Sequence, residues 1–299
     1  MESITLTFLG TGNAIPTPTR NHTALMLMYK NTGILFDCGE GTQRQFPQAE
    51  LSPHKITHIC ITHWHGDHIL GLPGLIQSLG MSDYAKTLHL YGPKGSHQFM
   101  YTIRNLITGM PIKLEVHEVN QGTIIDNPEW QVEAFPVYHD CPALGYSFII
   151  KEKRRLDKAK LKKLKLPNIP QLGQLAQGKT ITWNGKTIKP SQVCYQEPGR
   201  KVTLILDTGH NTNLAKHAQD ANLLITEASF AEEETDKAHE YHHLTSSQAA
   251  QIAKQAQAQA LILTHISQRY EHQPERLVKE AKKIFKNVKA TKDFDTITL

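Results

Sequence analysis

Four residues able to bind a metal fall within six positions of the chain: His63, His65, Asp67 and His68, in the segment His58–Gly71, HICITHWHGDHILG. An apolar run ends at Ile61 just before them. His63 and His65 are two apart, so an extended backbone points both side chains the same way. Gly66 is expected to allow a tight turn that carries Asp67 and His68 to a second position. Three imidazoles and a carboxylate crowded at a strand end are a poor structural choice unless they bind something. Imidazole with carboxylate suits Zn²⁺, with Mn²⁺ or Fe as chemical alternatives. No organic cofactor is expected.

One segment supplies too few ligands for two ions. The same grammar, an apolar strand and then a ligand, recurs three times: VEAFPVYH ends at His139, VTLILD at Asp207 and ALILTH at His265. In α/β proteins ligands bind beyond the carboxyl ends of the strands, so these three residues are candidates to complete the cluster. Asp37, at the end of another strand, is read as a hydrogen-bonding support for a ligand.

The elements that must position these residues are legible as short runs. Ile4–Leu9, Gly33–Phe36, His58–Ile61, Gln131–Val137, Gly145–Ile150, Val202–Leu206, Leu223–Ile225 and Ala260–Leu263 read as buried strands. Leu72, Leu75, Ile76 and Leu79 have helical spacing, as do Ala249, Ile252 and Ala253, in a helix that Ser246 or Ser247 is expected to cap. Strands alternating with helices indicate α/β architecture. The pattern breaks after Ile150, where a basic run is followed by LPNIPQLGQLAQGK. Residues of about 151–178 are expected to project from the core as an insertion in a single domain spanning 1–299.

Charge singles out the same segment. Lys151–Lys165, KEKRRLDKAKLKKLK, holds nine basic and two acidic residues, a local charge of +7. With +5 on the whole chain, the remainder carries −2. Basic charge concentrated on a slightly acidic body fits a polyanionic partner; a solvated, lysine-rich helix explains the composition equally well. The hydrophobic fraction of 39% is that of a soluble globular protein. No apolar run reaches the ~18 residues of a membrane helix, and Met1–Gly10 reads as a first strand, not a signal peptide. Cys38, Cys60, Cys141 and Cys194 are far apart with no C-x-x-C pair, as expected of free thiols in the cytoplasm.

Further motifs carry a family resemblance. FLGTGNAIPTPTRN (Phe8–Asn21), FDCGEGTQRQ (Phe36–Gln45), GDHILGLPGL (Gly66–Leu75), YGPKG (Tyr91–Gly95), LDTGH (Leu206–His210) and ISQRY (Ile266–Tyr270), together with the H-x-H-x-D-H cluster, resemble the tRNase Z family, tRNA 3′-processing endonucleases of the metallo-β-lactamase superfamily. FDCGEGTQRQ is the most diagnostic, because the wider superfamily lacks it.

The resemblance implies a four-layer αββα sandwich with two zinc ions at one edge. It assigns His63, His65 and His139 to the first ion and Asp67, His68 and His265 to the second, with Asp207 bridging. LLITEASF and HHLTSSQAA resemble two further family segments and retain Glu227 and His243. A carboxylate beside an imidazole orients it and favours its protonated form, so Glu227 and His243 are expected to protonate the leaving oxygen, and Asp67 is expected to accept or orient the proton of the attacking water. Arg20, Asn21, Ser267 and Arg269 are expected to contact substrate. So are Lys151, Lys153, Arg154, Arg155, Lys158, Lys160, Lys162, Lys163 and Lys165 of a tRNA-gripping arm. The implied substrate is precursor tRNA, cut after the discriminator nucleotide to leave a 3′-hydroxyl, and the implied assembly is a homodimer with each arm serving the partner's site. His210, His239 and His242 receive no liganding role. Two departures stand out: Pro18 where the family's loop often carries a lysine, and Asn168, Ile169 and Pro170 where its insertion carries Gly-Pro. Two other readings use the same ligands or the same charge: a metallo-β-lactamase hydrolase of a thioester, lactone or small phosphodiester, and a tRNA-binding protein without catalysis.

Overall fold

A computed structural model describes residues 2–299. Along the chain the strands are β1 (Ile4–Gly10), β2 (Ala24–Tyr29), β3 (Thr32–Phe36), β4 (Ile56–Cys60), β5 (Leu88–Gly92), β6 (Leu114–Glu118), β7 (Gly122–Asp126), β8 (Trp130–Val137), β9 (Ala143–Ile150), β10 (Lys153–Leu156), β11 (Ile181–Trp183), β12 (Lys186–Ile188), β13 (Cys194–Glu197), β14 (Arg200–Ile205), β15 (Leu223–Glu227), β16 (Leu261–Thr264), β17 (Val288–Ala290) and β18 (Thr296–Thr298). Two seven-stranded sheets result, in the orders β18-β1-β2-β3-β4-β5-β6 and β17-β16-β15-β14-β9-β8-β7. β3 to β6 run parallel, as do β14 to β17. Parallel neighbours need crossover connections. The helices Leu72–Met81, Ser96–Leu106, Ser246–Gln255 and Pro274–Lys282 fill that role.

Alternation along the strands explains the layers. Ile4, Leu6 and Phe8 of β1 meet Leu144, Tyr146, Phe148 and Ile150 of β9 in one core between the sheets. The opposite faces bury a helix layer each: Leu72, Leu75, Ile76 and Leu79 lie on the first sheet, and Ala249, Ile252 and Ala253 on the second. The architecture is the expected αββα sandwich. Two contacts lock the sheets together at the end where the ligands gather. The buried Tyr146 hydroxyl donates to the Ile61 carbonyl at 2.6 Å, and the Leu144 amide donates to the Thr62 carbonyl at 2.9 Å.

Several expectations change. Gly66 makes no left-handed turn; it opens the short helix Gly66–Ile69, where a Cβ would meet the Leu70 side chain at 3.1 Å. Thr245, not Ser246 or Ser247, caps the helix Ser246–Gln255. Its hydroxyl accepts from the Gln248 amide while the Gln248 side chain returns to the Thr245 amide, a reciprocal pairing that needs Gln three residues on.

The excursion after Ile150 does not end at 178. It runs to β14 as a unit with its own apolar cluster: Leu166, Leu172, Leu175, Ile181, Ile188, Val193 and Cys194. β10 pairs with β13 and β11 with β12, so the strand-like residues from Thr180 belong to the excursion and close its fold. The boundary is set by pairing over 40 residues, which local composition does not encode. Among the described residues, no helix is long and apolar enough to cross a membrane.

Candidate metal centre

The seven candidate ligands come from four chain segments and meet at the carboxyl ends of the strands. His63, His65, Asp67 and His68 follow β4, His139 follows β8, Asp207 follows β14 and His265 follows β16. Their ligand atoms form two clusters, His63–His65–His139 and Asp67–His68–Asp207–His265.

In the first, His63 Nε2 lies 3.0 Å from His65 Nδ1, and His139 Nε2 lies 3.3 Å from that same Nδ1. In the second, His68 Nε2 is 3.3 Å from Asp67 Oδ2, and His265 Nε2 is 3.4 Å from Asp67 Oδ2 and 3.2 Å from Asp207 Oδ1. Asp207 Oδ2 stands between the clusters, 3.7 Å from His63 Nε2 and 3.5 Å from His68 Nε2. Donors at ~2.0–2.1 Å around a tetrahedral Zn²⁺ are ~3.3 Å apart, so most of these separations are those of a ligand shell.

The tautomers agree with this. His68 donates from Nδ1 to Asp37 Oδ2 at 2.6 Å. His139 Nδ1 faces the His242 carbonyl at 3.3 Å, and His265 Nδ1 faces Ser229 Oγ at 2.9 Å. Each contact holds a proton on Nδ1 and leaves the Nε2 lone pair aimed inward. His65 is reversed: Nδ1 faces the cluster and Nε2 lies 3.4 Å from Asp140 Oδ1.

Asp37 is itself held by the Thr62 amide and hydroxyl, both at 2.7 Å, at a backbone φ of 57° that aspartate tolerates. His68 Nε2 and Asp207 Oδ1 are buried without a hydrogen bond. Orphaned polar atoms of this kind are costly unless a cation satisfies them. The donor set therefore fits divalent metal ions.

Electrostatics point the same way. Burial, reinforced by the neighbouring imidazoles, holds His63 neutral, well below the usual histidine range. Burial opposes ionisation of Asp207 and Asp67, but the adjacent imidazoles outweigh it and keep both carboxyls ionised. Burial disfavours charge on His68, but Asp207, Asp37 and Asp67 outweigh it and raise that ring well above the usual histidine range, so positive charge is stabilised at the place where a metal ion would replace its Nε2 proton.

Beside the second cluster, Glu227 is fully buried. Its Oε1 accepts from the Thr208 amide at 2.8 Å and its Oε2 from Ser229 Oγ at 2.7 Å. Both oxygens lie 3.0 Å from His243 Nδ1. Burial disfavours a charged His243, but the Glu227 carboxylate wins and holds the ring up at about 9. Ser229 links this pair to His265.

The expected substrate contacts fare unevenly. Arg20 is buried and donates to Thr11 Oγ1 at 2.7 Å and to the Thr291 carbonyl at 2.8 Å, so it braces the chain. Ser267 is also buried and receives the Arg269 amide at 3.4 Å. Both therefore face the protein, not a ligand. Asn21 donates to the Glu40 carbonyl at 2.8 Å, and Arg269 stands over the Phe230 ring at 5.6 Å.

In the basic run, Lys151 pairs with Asp126, Lys153 with Glu129 and Arg155 with Glu197. Lys158, Lys160, Lys162 and Lys163 lie on the helix Lys158–Lys163, with Lys165 just beyond it. Arg154 lies on β10 beside Gly178. Sequence reasoning missed Asp140, Thr208 and the carbonyl of His242. Only the adjacency of Asp140 to His139 offered a local signal.

Two facing mixed sheets with this His/Asp cluster at their strand ends define a metallo-β-lactamase fold protein. The Bacillus subtilis metallo-β-lactamase fold protein YhfI superposes with a TM-score of 0.74 over 100% of both chains at 16% identity, a likeness of fold alone. A family profile described as Anti-Pycsar protein Apyc1 matches residues 4–154, the half that ends before Asp207, Glu227, His243 and His265. The remainder is matched as well by ribonuclease Z of Bacillus velezensis, 40% identical over 98% of each chain. Human tRNase Z, short form, superposes with a TM-score of 0.72 at 30% identity over 98% of each chain. The chain belongs to the ribonuclease Z family.

Proposed function

We propose that this chain is the endoribonuclease that removes the 3′ trailer of precursor tRNA, leaving a 3′-hydroxyl on the tRNA and a 5′-phosphate on the trailer. The observation that carries the reading is the Glu227–His243 pair, buried against the His/Asp cluster in a ribonuclease Z chain. A hydrolase of phosphodiesters needs a proton for the leaving oxygen, and this pair holds one beside the centre.

Seven residues would hold the metal: His63, His65 and His139 on one side, Asp67, His68 and His265 on the other, with Asp207 between them. Two Zn²⁺ ions, when bound there, would supply Lewis acidity at the scissile phosphate and a lowered pKa for a bound water. The chain's own groups do the rest. Asp67, ionised and part-exposed, orients the attacking water or accepts its proton. Glu227 is fixed by Thr208 and Ser229 and cannot rotate away from His243. His243 presents Nε2 and donates its proton to the departing 3′-oxygen. The Lys/Arg side chains of the 151–199 excursion grip the tRNA backbone through phosphate contacts. By resemblance we also read the working unit as a cytoplasmic homodimer, each arm serving the partner's site.

Incubation with a 3′-extended tRNA, followed by mapping of both new ends, tests the reading. A cut after the discriminator nucleotide with a 3′-hydroxyl supports it. No cut, with turnover of a thioester or lactone instead, overturns it.

A further inference from the structure

A second group of metal-binding side chains lies on other strands and shares no residue with the centre above. His89 is on β5, and Glu115 and His117 are on the edge strand β6. The parallel register sets His89 opposite Glu115 and Tyr91 opposite His117, so all four side chains share one face. His89 Nδ1 lies 3.3 Å from Glu115 Oε2 and 3.3 Å from His117 Nε2. The three ligand atoms all lie within 4.8 Å of one another.

We propose that His89, Glu115 and His117 form a separate zinc site that ties the edge strand β6 to β5. Two of the three separations equal the ~3.3 Å expected between donors of one tetrahedral zinc. Among the three atoms themselves, a single proton bridges only one pair at a time. A proton on His89 Nδ1 serves Glu115 and leaves His117 Nε2 without a donor. A proton on His117 Nε2 serves His89 and leaves the carboxylate facing a lone pair. One cation satisfies all three atoms at once.

The shell is already oriented. His89 stacks on His58 with ring centroids 5.6 Å apart, and His117 stacks on Tyr91 at 4.5 Å. Lys113 Nζ holds the other oxygen of Glu115 at 3.3 Å, turning Oε2 inward. The side chains of His89 and Glu115 are 31% and 44% exposed, which leaves an entry path and a fourth position for water. Two imidazoles and one carboxylate select zinc or its neighbours Ni²⁺ and Cu²⁺ over Mg²⁺ or Ca²⁺.

The test uses the full chain with its principal centre already saturated and free metal removed. Zn²⁺ is titrated by calorimetry, and Co²⁺ by its visible absorption, into wild type, His89→Gln and His117→Gln. We expect one further ion per chain in wild type and its loss in both variants. Excess Zn²⁺ should raise the Tm of wild type and not of the variants, because an ion bound only to the folded chain stabilises it. Folding, checked by circular dichroism, and turnover of a small phosphodiester should be alike in all three. No further ion in wild type, or equal uptake by wild type and both variants, overturns the proposal.

Discussion

The carboxylate of Glu227 meets His243 Nδ1 with both of its oxygens at 3.0 Å, while the Thr208 amide and the Ser229 hydroxyl hold it from behind. This fixes the charge and the direction of an imidazole whose Nδ1 is 4.0 Å from Asp207 Oδ2. His243→Ala should lower cleavage by about 10²–10⁴-fold, the range of general acid catalysis, and leave metal content unchanged. A substrate with sulfur in place of the bridging 3′-oxygen has a leaving group that hardly needs a proton. The penalty should shrink on it; an equal penalty on both substrates assigns His243 another role.

Metal removal gives the second expectation. The purified protein should hold close to two zinc ions per chain at the principal centre, and chelation should abolish cleavage. Elemental analysis with a chelator titration checks this, and a single ion with full activity contradicts it.

Asp37 anchors His68 through a 2.6 Å bond and touches no proposed substrate group. Asp37→Asn keeps the shape but removes the charge that fixes the His68 tautomer. Metal affinity should fall about 10–100-fold, the usual cost of losing such a partner, as measured by competition with a chromogenic chelator.

The excursion can be removed cleanly because Arg200 pairs with Ile150 across β14 and β9. Replacing 151–199 by Asn-Gly turns the two strands into a hairpin. KM for precursor tRNA should rise strongly and lose much of its salt dependence, since each phosphate contact releases a counterion. Turnover of a small phosphodiester should stay within about tenfold, because only uniform binding is lost. Unchanged tRNA cleavage removes the arm from substrate binding.

Glu129 pairs with Lys30 and Lys153, and its hydrogen bonds with Lys153 and then Lys30 hold it down at about 2. Its unfolded value is ~4.3, so the pair stabilises the fold above that pH and fades as pH falls toward 2. The site is open to solvent, so Glu129→Gln should cost no more than ~1 kcal/mol at pH 7. The gap between variant and wild type in urea unfolding should narrow from pH 5 to pH 3.

The chemistry of the centre was readable residue by residue. An apolar strand ending in His or Asp is a local pattern, and His63, His65, Asp67, His68, His139, Asp207 and His265 each announce themselves within eight residues. The short apolar runs and the helical spacing of Leu72–Leu79 likewise come from neighbours in the chain, so the alternation of strands and helices was legible too, while the αββα layering was implied only by the family resemblance. What lay beyond the sequence depends on contacts that no window contains. Arg20 and Ser267 look like substrate contacts until packing buries them. The 151–199 unit closes through β10–β13 pairing, which no turn residue near 178 records. The histidine cluster on β5 and β6 arises because parallel register sets residues 26 and 28 positions apart side by side. Side-chain type and short spacing are written in the sequence; which distant segments share a face, and what is thereby hidden from water, is decided only when the two sheets close on each other.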